Sequence, residues 1–75
     1  MKKFNILLSS INDVKDFVNI VNKYNFDVDL MSGRYVVDAK SIMGIFSLDL
    51  SKPIEVSIIE ENCEDLCNEL KTFEV

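Results

Sequence analysis

Near the start of the chain Phe4, Ile6 and Leu8 alternate with Asn5 and Leu7, a period of two that predicts a strand with one buried face. Ser9 or Ser10 then stands where a helix cap is needed. Ser10 and Asp13 have the spacing of a capping-box variant, and Val14, Phe17, Val18, Val21 and Tyr24 recur at helical intervals among Asp13, Lys15, Asp16, Asn19 and Asn22. This predicts an amphipathic helix reaching about Tyr24. Phe26, Val28 and Leu30 return to alternation with Asp27 and Asp29. Ser32-Gly33 follows as a turn and Arg34 to Ala39 is rich in β-branched and aromatic residues, so a β-hairpin is expected. Lys40-Ser41 opens a short helix running to about Phe46, because serine caps helix N-termini and Ile42, Ile45 and Phe46 follow at helical spacing. Leu48 to Pro53 reads as a loop. Ile54, Val56 and Ile58, alternating with Glu55 and Ser57, form a last strand, and Asn62 to about Thr72 a last helix with Cys63, Leu66, Cys67 and Leu70 on one side.

The order is thus β-α-β-β-α-β-α. Asn5, Asp27, Asp29, Glu55 and Ser57 point away from the apolar set, so one sheet face meets water while helices cover the other, an open-faced α+β sandwich. Pattern alone also fits other two-layer folds, including a ferredoxin-like one. The 75 residues allow a single domain over 1–75. A domain of this size buries only roughly 60% of its unfolded surface, which leaves little room for a deep pocket. Hydrophobic residues make up 48%, with two glycines and one proline, as a globular chain requires. No stretch approaches the roughly 20 apolar residues of a membrane span, and the apolar run after Met1-Lys2-Lys3 is too short for a signal peptide. A cytoplasmic location is expected.

Asp and Glu outnumber Lys and Arg by 13 to 8, and no basic stripe relieves the imbalance, so direct binding of nucleic acid is not expected. There is no histidine. Cys63 and Cys67 lie four apart on one helix face; without a histidine or a third cysteine to complete a zinc site, core packing is the favoured reading over metal binding or redox sensing. Asp27 and Asp29 read as solvated strand carboxylates, and the acidic run from Glu60 to Glu69 as a device that suits a helix N-terminus. No metal or other cofactor is expected. With no histidine base and no glycine-rich phosphate loop, the ingredients of an enzyme are mostly absent.

The run Lys40-Ser41-Ile42-Met43-Gly44-Ile45-Phe46-Ser47-Leu48 resembles the regulatory-serine segment of HPr, the phosphocarrier protein of the bacterial sugar phosphotransferase system. Lys23-Tyr24, Asp27 to Leu30 and Ser32-Gly33 also look like HPr of Gram-positive bacteria, so the likeness covers about half the chain, from Asn22 to Ile58. The resemblance implies a four-stranded antiparallel sheet with the helices on one face. It also implies a regulatory phosphorylation at Ser41 by an HPr serine kinase, recognition by a transcription regulator in carbon catabolite regulation, and a docking patch made of Lys40, Ile42, Met43 and Phe46, with Ile45 and Leu48 in the core. Lys40 reads equally as a solvated lysine or as a neighbour of a partner's acid. Where the family places its phosphorylated histidine, with an arginine and a proline beside it, this chain reads Ser10, Asn12 and Asp13 in a shortened loop. A serine ester is too stable to act as a relay, so phosphotransfer through this loop is not expected. The catabolite-repression homologue of HPr likewise lacks the histidine and keeps the serine. The competing reading is an unmodified interaction or oligomerisation module that retains only the fold.

Overall fold

The computed structural model describes all residues from Met1 to Val75, and its elements follow the alternation and helical periods of the sequence. They are β1 (Lys2–Ile6), α1 (Ile11–Val21), β2 (Val28–Ser32), β3 (Tyr35–Asp38), α2 (Ile42–Phe46), β4 (Ile54–Ile58) and α3 (Glu64–Leu70), closed by a 3₁₀ turn at Lys71–Phe73. The sheet is antiparallel throughout, in the order β1-β4-β2-β3. Register explains the two faces. Phe4 pairs with Val56 and Leu30 with Val56, so these positions form one apolar surface, while Lys3 and Asp29 flank Ser57 on the other. The helices cover the apolar surface. Val14, Phe17 and Val21 of α1, Ile45 of α2 and Leu66 and Leu70 of α3 join Ile6, Val28, Leu30, Ile54, Val56 and Ile58 in one buried cluster.

Several boundaries differ from the sequence reading for identifiable reasons. Helix α1 ends at Val21 and does not reach Tyr24, because Asn22 closes it: its backbone N–H and its side-chain Nδ2 both donate to the Val18 carbonyl, the latter at 2.9 Å. The capping box is also displaced by one residue. Ser10 Oγ accepts from Asp13 N–H at 3.1 Å, but the Asp13 carboxylate reaches back to the N–H and hydroxyl of Ser9 at 3.1 and 2.9 Å. The hairpin turn is Gly33-Arg34, since Ser32 pairs with Tyr35. A two-residue loop of this kind needs a positive φ at its first central position, which Gly33 supplies at 60°. β2 begins at Val28, leaving Phe26 and Asp27 outside the sheet. The last helix is shorter than expected and tightens into the 3₁₀ turn after Leu70, and Cys63 occupies its N-cap position. Ser57 is buried on the open face, because β4 is an inner strand and the short side chain lies between Lys3 and Asp29 of its two neighbours.

The sheet's two edges are treated differently. β1 is flanked by the end of the chain: Leu7 N–H donates to the Phe73 carbonyl at 2.9 Å, Val75 N–H to that of Asn5 at 3.1 Å, and Ile6 bridges to Glu74. β3, at the opposite edge, is met by the turn into α2, where Ser41 N–H donates to the Asp38 carbonyl at 2.9 Å. No helix is long and apolar enough to cross a membrane.

Candidate functional site

Helix α2 is five residues long and carries most of the candidate residues. Ser41 is its N-cap, exposed to solvent, and its Oγ accepts from Gly44 N–H at 3.1 Å while its carbonyl accepts from Ile45 N–H. Ser47 closes the other end, its hydroxyl donating to the Gly44 carbonyl at 2.6 Å. A five-residue helix cannot stand on propensity alone; Ile45 and Leu48, both buried, anchor it. Gly44 allows the close approach. A Cβ there would meet Val37 Cβ at 3.3 Å and Ser41 Oγ at 3.2 Å.

With one face turned inward, the other is left on the surface. Met43 is 78% exposed and Phe46 42%, whereas Ile42 is half-buried against the core. Lys40 is not a free charge: its ammonium donates to the Tyr24 carbonyl at 2.7 Å, and its backbone N–H is held by Asp38 Oδ1 at 2.9 Å. It ties the segment entering α2 to the segment leaving α1. The same corner is fixed from α3, where Glu69 accepts from the Tyr24 hydroxyl and pairs with the Lys23 ammonium. The hydrogen bond to Glu69 and its adjacent charge push the Tyr24 phenol up to about 12. Lys23, then Tyr24, hold the Glu69 carboxyl below the ordinary carboxylate range.

Ser10 lies at the start of α1, and the fold brings it to α2. Between the two elements runs an open cleft of about 520 Å³ whose lining includes Leu8, Ser10, Ile11, Phe46 and Leu50. Ile11, 63% exposed, was not singled out by the sequence reading. Three residues before Val14 and seven before Val18, it continues the helical spacing of the apolar stripe, so nothing in the local pattern marks it as outward. Near Ser10 the charged group is the Asp13 carboxylate bonded to Ser9, and no Lys or Arg lines the cleft.

Other candidates do not converge. Asp27 lies outside the strand and Asp29 on its open face, and no group of three or more Cys, Asp or Glu side chains is placed to hold a metal ion. The Cys63 and Cys67 thiols are free and 3.6 Å apart. Burial, and then the contact with Cys63, pushes the Cys67 thiol up to about 11, so it is a poor nucleophile at neutral pH.

A family model described as "PTS HPr component phosphorylation site" matches residues 13–73. The chain belongs to the HPr family. Among solved structures it is similar to HPr-C-His from Thermoanaerobacter tengcongensis, with 26% identity over 93% of this chain and 86% of that one and a TM-score of 0.79. It is also similar to the phosphocarrier protein HPr from Bacillus anthracis, with 23% identity, 99% and 94% covered, and a TM-score of 0.73. A comparison with curated proteins finds no match. The open-faced sheet is therefore the HPr fold, and the chain is a phosphocarrier-like protein related to the phosphotransferase system.

Proposed function

We propose that this HPr-family protein is regulatory: it docks on partner proteins through the outer face of α2, under control of phosphorylation at Ser41, and carries no phosphoryl group on histidine. The observation that supports docking is the exposure of Met43 and Phe46 beside a half-buried Ile42, all on a helix pinned by Ile45 and Leu48. Apolar side chains held on a fixed surface helix suit protein recognition, and methionine adapts its shape to a partner. Ile11 and Leu50, which line the cleft together with Phe46, extend the patch. Lys40 supports it by holding the approach to α2 in place.

The exposed Ser41 hydroxyl leaves room for a kinase. A phosphate there would place close to two negative charges at the edge of the apolar patch, changing which partner surface complements it. The partners proposed are an HPr serine kinase and a transcription regulator, in the cytoplasm. Loss of phosphotransfer is supported by the lack of any histidine and by the carboxylate of Asp13 beside Ser10, the position assigned to the phosphohistidine. The protein acts without catalysis of its own.

Mass spectrometry after incubation with HPr serine kinase and ATP tests this reading. One added phosphate, absent in Ser41→Ala, is the expected result. No phosphate, with an intact HPr labelled in the same reaction, would move the function to constitutive docking through the same patch.

A further inference from the structure

The two cysteines face a cavity that shares no residue with the cleft beside α2. It holds about 220 Å³, and its lining brings Met1 and Lys2 from the start of the chain against Cys63 and Cys67 of the last helix. Cys63 is the N-cap of α3 and Cys67 follows one turn later, its N–H donating to the Cys63 carbonyl at 2.9 Å. Both thiols are free, with their Sγ atoms 3.6 Å apart. Cys63 is buried and Cys67 half-buried.

This separation suits a bridge of one atom better than a direct bond. Side chains four apart on a helix have their Cβ atoms roughly 5–6 Å from each other. A disulfide needs about 3.5–4.5 Å, so oxidation would have to distort the first turn of α3. An ion bound at roughly 2.3 Å from each sulfur spans the 3.6 Å gap with an angle of about 100° at the metal. Linear coordination would need the sulfurs about 4.6 Å apart, so the bent angle calls for a further ligand. Met1 lines the same cavity and supplies a thioether.

The donors present select the ion. Zinc takes four ligands, and although Glu60, Glu61 and Glu64 border the cavity, no group of three Cys, Asp or Glu side chains is placed to hold a metal. Sulfur donors without nitrogen or carboxylate favour a soft monovalent ion. Lys2 favours the thiolate of Cys67 through its charge and stands beside the site as a counter-ion.

We propose that Cys63, Cys67 and Met1 form a binding site for one Cu(I) ion per chain. Binding breaks two S–H bonds, releases two protons to solvent and forms two Cu–S bonds to thiolates, with the Met1 sulfur donating a lone pair as the third ligand. Copper stays in its +1 state throughout. The complex carries one net negative charge, which Lys2 offsets. The ion ties the start of the chain to the first turn of α3, so the folded state gains stability from it.

Anaerobic titration of the reduced protein with Cu(I) held as its bicinchoninate complex tests the site. The protein should withdraw one copper per chain from the coloured chelate, remain a monomer by sedimentation, and unfold at a higher temperature when loaded. Cys67→Ser, checked for folding by circular dichroism, should leave the copper with the chelator. Should that variant fail to fold, alkylation of the unmodified protein takes its place, and copper should shield both Cys63 and Cys67. In carbon-13 spectra of the methionine methyl groups, Met1 should shift on loading while Met31 and Met43 stay in place. Copper that remains with the chelator would overturn the proposal, as would undiminished binding by Cys67→Ser, thiols that stay open to alkylation, or copper that links two chains. An unchanged unfolding temperature would show that the thiols bind copper without the folded pair, and an unmoved Met1 methyl would overturn the three-sulfur site.

Discussion

Neighbouring side chains on α2 have opposite fates, and the difference is measurable. Ile45 is fully buried and Phe46 sits at the rim of the cleft. Truncating a buried isoleucine leaves a cavity, so Ile45→Ala is expected to lower stability by about 3 kcal/mol, and Phe46→Ala by about 1 kcal/mol or less. Denaturant unfolding compares the two; a loss of several kcal/mol for Phe46→Ala would place that ring in the core and remove it from the docking patch. The Tyr24-Glu69 contact has a pH signature. The folded phenol lies at about 12, above its ordinary 10.0, so the contact's stabilisation is complete below the ordinary value and is lost as pH rises through the folded one. Glu69 behaves in the opposite sense: its depressed pKa adds stability above the ordinary carboxylate range that is lost as pH falls. Ultraviolet titration should show Tyr24 ionising late, and Glu69→Gln should bring it back toward 10.0. At this scale the caps at Ser10 and Ser41 were legible, because a cap is decided by residues within one turn. The roles of Lys40 and Glu69 were not, since their partners lie 16 and 46 residues away along the chain.

Elements were legible in kind and less so at their ends. The amphipathic stripe of α1 and the alternation of β1, β2 and β4 follow from which side chains leave water. The end of α1 depends on one side chain choosing a backbone carbonyl, as Asn22 does, and the place of the hairpin turn on which residue accepts a positive φ. α2 rests on contact with β3 through Gly44. Alanine ordinarily stabilises a helix relative to glycine by about 1 kcal/mol, but here the added Cβ meets Val37 Cβ at 3.3 Å, and a strand Cβ cannot move aside by rotation. Gly44→Ala is therefore expected to give no stabilisation and a net loss of about 1 kcal/mol in thermal or denaturant unfolding. A gain would mean that α2 slides freely on the sheet.

Across the whole molecule, the C-terminal residues connect the sheet to the helical layer. Phe73 packs edge-on against Phe17 with ring centres 6.1 Å apart, while its carbonyl takes the Leu7 N–H. Phe73→Ala is expected to lower stability by about 3 kcal/mol and to speed amide exchange at Leu7 and Val75, measured by hydrogen exchange. Nothing near Phe73 in the sequence announces this, because the segment is short and its periodicity ambiguous. What the sequence determined by itself was the order of elements, the apolar face of each, the two serine caps and the lack of a histidine, all of which depend on residue type and local spacing. The HPr-like fold was legible for the same reason, through a short run around Ser41 that follows a hairpin. Only the tertiary structure brought Ser10 and Ile11 beside Phe46, laid the C-terminal residues along the β1 edge, and set Asp38 opposite Asp29. Those relations arise from packing between distant segments, where shape and register select among partners that the local pattern leaves equivalent.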